Sequence, residues 1–396
     1  MADWRQMTLR DVCAESGGGI QTGPFGSQLH ASDYVVDGTP SVMPQNIGDN
    51  RIVDDGIARV SAPDMLRLEK YWLRANDIVY SRRGDVERRA LVRPENDGWL
   101  CGTGCLRVRI LDQDVHDSPF ISYSLGLPES RAWITRHAVG ATMLNLNTEI
   151  LGRVPLAVPD IEIQRAIGGV LGALDDKIAA NDRVVTAADA LAEALLARVA
   201  TGNVALSDIA QITMGSSPPG ASYNESGDGM AFFQGVRDFG VRSPSRRVFT
   251  TAPVRVADAE DTLVSVRAPV GRTNLAREQL CLGRGLAGLR SRSGRPMTLF
   301  HQIRAARHAW EPYEAEGTVF GAINKGQMER ITVPGVPSTR AETLESTLRP
   351  IEERIQAALK ESEVLRATRD ELLPLLMSGK VPVRDLPDDL TEAALR

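Results

Sequence analysis

Two stretches of this sequence set arginine beside glycine at the end of an apolar run. One is Asp77-Ile-Val-Tyr-Ser-Arg-Arg-Gly-Asp-Val-Glu-Arg-Arg89, and the other is Leu263-Val-Ser-Val-Arg-Ala-Pro-Val-Gly-Arg-Thr273. Each reads as a short strand running into a loop. Such a loop lets the backbone approach a phosphate while the guanidinium reaches a base edge. The candidate contacts are Arg82, Arg83, Gly84 and Arg88 in the first stretch, and Arg267 and Arg272 in the second. Two turn-rich loops, Gly23-Pro-Phe-Gly-Ser-Gln28 and Gly215-Ser-Ser-Pro-Pro-Gly220, precede them in matching places. They add Gly23, Phe25, Ser27, Gln28, Ser216 and Ser217. Gln45, Asn46 and Gln234 are amides at strand ends, the chemistry that grips adenine; Arg237 follows and is counted with them. Taken alone, each strand and loop reads more simply as a solvated hairpin.

Motifs for catalysis are missing. Gly283-Arg-Gly-Leu-Ala-Gly288 has the glycine spacing of a dinucleotide turn. That motif needs a helix directly after it, and Leu-Arg-Ser-Arg-Ser-Gly-Arg-Pro follows instead. There is no phosphate-binding G-x-x-x-x-G-K-[ST] and no H-E-x-x-H. Cys101 and Cys105 are an isolated pair, expected to be packed thiols rather than zinc ligands. His301 and His308 have no acidic or thiol partner at ligand spacing. Pro218-Pro219 follows Ser-Ser, not the Asn or Asp with which an adenine methyltransferase grips its base. The sequence therefore offers binding chemistry without a reaction, and neither a cofactor nor a metal is expected in this chain.

The chain that must position these residues has 396 residues, 42% of them hydrophobic and 24% charged. That is enough for two or three packed domains. No apolar run approaches the ~20 residues of a membrane span. The polar start and the four cysteines give the expectation of a reducing, cytoplasmic location with no membrane partner. The net charge of −5 speaks against a nucleic-acid binder until it is read by segment. Residues 204–337 hold 16 basic and 12 acidic residues, whereas the other segments are each acidic. Arginine outnumbers lysine 41 to 5. A GC-rich genome explains such a bias, and so does phosphate or guanine recognition.

The sequence repeats itself at an offset of 177 residues. Thr148-Glu-Ile-Leu-Gly-Arg-Val-Pro-Leu-Ala-Val-Pro159 is echoed by Lys325-Gly-Gln-Met-Glu-Arg-Ile-Thr-Val-Pro-Gly-Val-Pro337. Leu174-Asp-Asp-Lys-Ile178 matches Ile351-Glu-Glu-Arg-Ile355, and Thr201-Gly-Asn-Val204 matches Ser378-Gly-Lys-Val381. Each half is a β-rich variable region followed by a helical segment. In the first helix the apolar seam runs Ile167, Val170, Leu174, Ile178, Val185, Ala188, Leu191, Leu195, Val199. In the second it runs Leu344, Leu348, Ile351, Ile355, Ala358, Leu365, Leu372, Leu376, interrupted by Ser362 and Arg369. Steps of four and three make a heptad seam, so the two helices are expected to pair as an antiparallel coiled coil. Gly202 and Gly379 stand where they should stop. Pro350 and Pro374 predict a kink or a late start in the second helix.

The fold class expected is α+β: two β-rich domains separated by two long helices, with a pseudo-two-fold internal repeat. The boundaries are residues 1–155 and 204–336 for the β-rich domains. Residues 156–203 and 337–380 form the helices, and 381–396 the tail.

This arrangement resembles the specificity subunit of type I restriction-modification systems. The resemblance covers residues 8–384. It rests on the half-repeat and on Leu151-Gly-Arg-Val-Pro-Leu-Ala-Val-Pro-Asp-Ile-Glu-Ile-Gln164, which is similar to the family's proline-rich entry into a spacer helix. Ile167-Gly-Gly-Val-Leu-Gly-Ala-Leu-Asp-Asp-Lys-Ile178, Gly23-Pro-Phe-Gly-Ser27 and the Arg-Gly loops add to it. Ser338-Thr-Arg-Ala341 departs from the family's Glu-Gln entry, and Pro350 stands where the first half has Ala173. The resemblance implies a non-catalytic subunit with two target-recognition domains, each reading half of a split double-stranded DNA site. It implies two modification subunits that carry S-adenosylmethionine and methylate adenine, and restriction subunits that join for cleavage. The rival reading from the residues is an autonomous coiled-coil DNA-binding regulator. A fused methyltransferase is the weaker rival, because its motifs are missing.

Overall fold

A computed structural model describes residues 4–140, 142–314 and 321–386. The last ten residues of the expected tail lie outside them. The chain forms two compact units. The first comprises Met1–Ile178 and Glu363–Arg396, and the second Ala179–Ser362.

In the first unit, four antiparallel strands lie in the order Gly19–Thr22, Cys105–Arg109, Ile78–Ser81, Arg89–Leu91. A second sheet orders Tyr34–Val35, Arg59–Val60, Thr39–Val42, Leu100–Cys101, the last pair parallel. Arg5–Thr8 pairs with Pro155–Val158. The second unit repeats the plan. Ala210–Met214, Leu286–Ser291, Thr262–Ser265 and Thr273–Leu275 form one sheet. Tyr223–Asn224, Phe249–Thr250, Met230–Phe233, Leu280–Leu282 and Val256–Ala257 form the other. Asn203–Ala205 pairs with Thr332–Pro334. Gln45 and Asn46 do not close a strand as expected: the strand Thr39–Val42 stops before them, proline at position 44 has no N–H for a ladder, and Pro44–Asn46 is a 3₁₀ turn.

The central helix is Ile161–Val199 and the C-terminal helix is Ser338–Met377. In the first unit the start of the central helix (Ile163, Ile167, Val170, Leu171) shares a core with the end of the C-terminal helix (Leu372, Leu373, Leu376, Met377). In the second unit the end of the central helix (Ala192, Leu195, Leu196, Val199) packs with the start of the other (Leu344, Leu348, Ile351). In each unit, then, the start of one long helix packs with the end of the other. Gly202 and Gly379 take φ of +63° and +66°, the left-handed stop that glycine adopts without strain.

Three details differ from the heptad reading. The seam of the central helix shifts by one residue near its end: Leu191 is 51% exposed, whereas Ala192 and Leu196 are buried. A straight helix drifts against a 3.5-residue repeat, and here Met297 and Phe300 pack against the shifted face. The C-terminal helix does not start late; it begins twelve residues before Pro350 and continues through it. Ser362 and Arg369 do not leave the seam but are buried in it. Arg369 pairs with Asp175 and Asp49, and in the second unit buried Glu352 meets Arg242 and His301, each at 3.0 Å.

Gln164, the last residue of the proline-rich entry, is buried. Its Nε2 donates to the Pro159 carbonyl at 2.8 Å, and its Oε1 accepts from the Asp117 N–H at 3.0 Å. This amide ties the helix start to the N-cap of the helix Ser118–Leu125, where Asp117 accepts from the Phe120 N–H.

Candidate nucleic-acid interface

In the first unit, the strand Ile78–Ser81 ends at Arg82 and Arg83. The Arg82 N–H donates to the Gly104 carbonyl, and the Gly84 N–H to the Leu144 carbonyl. The Leu146 N–H donates back to Arg82, so the Arg-Gly loop is clamped between two neighbouring segments. The Arg82 guanidinium sits over the Phe25 ring, 5.4 Å from its centroid, a cation–π contact that joins the two loops singled out by sequence. Gly23 is buried at the foot of that contact, its N–H bonded to the Cys105 carbonyl. Phe25, Ser27, Gln45, Arg83 and Gly84 are exposed.

The second unit builds the same clamp with different side chains. The Val266 N–H donates to Gly285, the Ala268 N–H to Gly321, and the Ile323 N–H to Val266. Arg267 is thus the counterpart of Arg83, and Val266 that of Arg82. The Ser216 N–H donates to Leu282 at 2.9 Å, and the Gly285 N–H to Gln234 at 3.0 Å. Ser216, Ser217, Gln234 and Arg267 therefore gather around the turn Gly283–Gly285, with Arg237 exposed in the middle of the 3₁₀ turn Val236–Asp238.

Several candidates have other duties. Asn46 is only 2% exposed; its Oδ1 accepts from the Met43 N–H and its Nδ2 donates to Val53. That amide holds a turn and cannot read a base. Gln28 spends its Oε1 on the Phe25 N–H and the Tyr71 hydroxyl, leaving only its amide nitrogen for another partner. Arg88 is half-buried and faces Asp85 at 3.7 Å. Arg89 turns inward, donating to the Ser122 carbonyl, and burial brings its guanidinium below the ordinary value. Arg272 is exposed beside a cleft of about 570 Å³ lined by Phe239, Asn274, Arg307 and Trp310. None of Ser216, Ser217, Gln234 or Arg267 lines that cleft.

One residue escaped the sequence reading. Arg284 sits exposed at the tip of Gly283-Arg-Gly285 and donates from Nε to the Ser217 hydroxyl at 3.0 Å. Its signal was the glycine pair on either side, which the dinucleotide pattern absorbed. Burial pushes the Cys101 thiol up to about 12 and that of Cys105 well above the ordinary range. Thiols held protonated in this way are poor ligands and poor nucleophiles.

Comparison with known proteins gives the same architecture. Residues 1–184 match the type I restriction modification DNA specificity domain family. The chain is 26% identical over 413 residues to the putative type I restriction enzyme MjaX specificity subunit of Methanocaldococcus jannaschii, covering 96% of this chain and 94% of that protein. It superposes on the crystal structure of the type I restriction-modification system S subunit from M. genitalium with a TM-score of 0.67. That likeness, at 14% identity over 95% of this chain and 96% of the other, is one of fold.

Proposed function

We propose, on the premise that this chain belongs to the type I restriction-modification specificity subunits, that each of its two units reads one half of a bipartite double-stranded DNA target. The observation that carries this reading is the repeated loop cluster. In both units a clamped arginine (Arg83 or Arg267) stands exposed beside a turn-rich loop that carries Phe25 in one unit and Ser216 and Ser217 in the other. Backbone at such turns suits phosphate, and the side chains suit base edges. The long helices set the distance between the half-sites.

The chain directs methylation without performing it. Two modification subunits bind S-adenosylmethionine and methylate adenine, and restriction subunits join them for cleavage. The acidic helical segments dock on these proteins, and the partners supply much of the phosphate contact that a chain of net charge −5 does not. The complex works in the cytoplasm; among the described residues no helix is long and apolar enough to cross a membrane. Similarity to a specificity subunit over 96% of the chain favours this over an autonomous regulator.

Purified chain, modification subunit and their co-expressed complex should be compared with S-adenosylmethionine and genomic DNA. Methyl transfer confined to the complex is expected. Sequence-specific methylation by the chain alone, or by the modification subunit alone, contradicts the reading.

A further inference from the structure

We infer that Arg284 is a specificity-determining residue of the second unit and that it reads a guanine. The inference rests on the DNA-recognition reading above and adds a residue and a base to it. Arg284 is held at a fixed place. A Cβ on Gly283 would lie 2.8 Å from the Gln234 Cα, and one on Gly285 only 2.3 Å from the Gln234 carbonyl oxygen. Both glycines therefore press the turn onto the end of the strand Met230–Phe233. The Gly283 N–H bonds the Phe233 carbonyl at 2.8 Å, and the Gly285 N–H that of Gln234 at 3.0 Å. The turn cannot slide, and its one side chain projects from the cluster of Ser216, Gln234 and Arg267.

The guanidinium is also oriented. Its Nε is spent on the Ser217 hydroxyl, and among the described residues the two terminal nitrogens, side by side, have no hydrogen-bond partner. A neighbouring carboxylate would neutralise them, as Glu278 does for Arg246, Asp238 for Arg247 and Asp261 for Arg290. Among the described residues no carboxylate pairs with Arg284. Two parallel N–H donors on a pre-positioned planar fork match the O6 and N7 acceptors of guanine in the major groove. A lysine cannot reproduce that geometry.

The first unit carries a different group at this place. Gly102-Thr-Gly104 makes the corresponding turn: the Gly102 N–H bonds Val42 at 2.8 Å, and the Gly104 carbonyl accepts from Arg82 at 2.8 Å. Thr103 has one hydroxyl, which is buried, and no fork. The guanine contact therefore belongs to one half-site only.

The test uses the complex with modification subunits, carrying wild-type chain, Arg284→Ala, Arg284→Lys or Ser217→Ala. Binding is measured on a library with each position of both half-sites varied. Arg284→Ala should lose roughly 5- to 150-fold discrimination at one guanine position of one half-site. Arg284→Lys should not restore it, and Ser217→Ala should show a smaller loss at the same position. Equal weakening on every sequence would mean a phosphate contact and overturn the inference. So would rescue by lysine, an unchanged profile, or relaxation in the half-site that Arg83→Ala affects. A wild-type complex with no preferred sequence would instead remove the recognition reading on which the inference stands.

Discussion

The Arg369 guanidinium meets the Asp175 carboxylate at 2.7 Å, across 194 residues of sequence, with each side chain only 11% exposed. Arg369 also reaches Asp49 at 2.6 Å, while Asp175 accepts from the Tyr123 hydroxyl at 2.6 Å. Burial opposes the charge on Arg369, and the carboxylates around it outweigh that effect and raise its pKa. The pair replaces an apolar rung of the helix seam with a charged one that tolerates only its own partner. Arg369→Ala should lower stability by about 3–5 kcal/mol, because Asp175 is left buried without its cation. Arg369→Leu combined with Asp175→Leu should recover part of that loss, though not all, since Tyr123 then lacks its acceptor. Chemical denaturation of wild type, Arg369→Leu, Asp175→Leu and the double variant closes a double-mutant cycle that measures the coupling; additive losses would show that the pair contributes nothing of its own.

In the second unit Asp189 accepts from both Arg242 and Arg304. Burial pushes its carboxyl up, but the two guanidiniums bring it below the ordinary 3.8. A depressed carboxyl stabilises the fold above its ordinary range and loses that contribution as pH falls through the depressed value. The stability difference between wild type and Asp189→Asn should be constant above about pH 5 and shrink as pH falls below about 4. Thermal melts across that range should show the convergence; parallel curves would mean that Asp189 does not carry the acid sensitivity.

Much of this was legible in the sequence because it is written locally or repeated. The 177-residue offset, the two helices and their glycine stops need no tertiary contact to be read. The contact of the Arg82 guanidinium with the Phe25 ring belongs to the fold, since neither loop announces the other in the sequence. What stayed hidden depends on partners distant in sequence. Asn46 reads as an amide at a strand end, yet Val53 and Met43 consume it. Leu191 has the heptad spacing, but Met297 and Phe300 draw the helix around to Ala192. Arg369 breaks the apolar pattern, and only its acidic partners explain its burial. Arg284 was concealed by a motif it does not serve.

The proposed reading of a split DNA site makes helix length the determinant of its gap. One heptad inserted in both helices, near Asp182 and Leu359, adds about 10 Å at ~1.5 Å per residue and preserves the seam. At ~3.4 Å per base pair that is about three base pairs. Methylome sequencing of cells expressing this variant with its modification subunit should give a longer spacer and unchanged half-sites. A four-residue insertion should break the seam and destabilise the subunit. A folded, active heptad variant that keeps its original spacing would assign the gap to something other than the helices.

The division of labour between the units is tested most directly by single arginines at matching positions. Arg83 and Arg267 occupy equivalent clamps, the first bridged to Asn145 and the second to Ala322. Cells expressing wild type, Arg83→Ala or Arg267→Ala with the modification subunit would be compared by methylome sequencing. The expected wild-type result is a split motif of two defined parts. Each variant should then relax or weaken one part only, and a different part for each. A base contact is worth about 1–3 kcal/mol at its own position. One continuous motif in the wild type, or both variants altering the same half, would contradict recognition by two separate units.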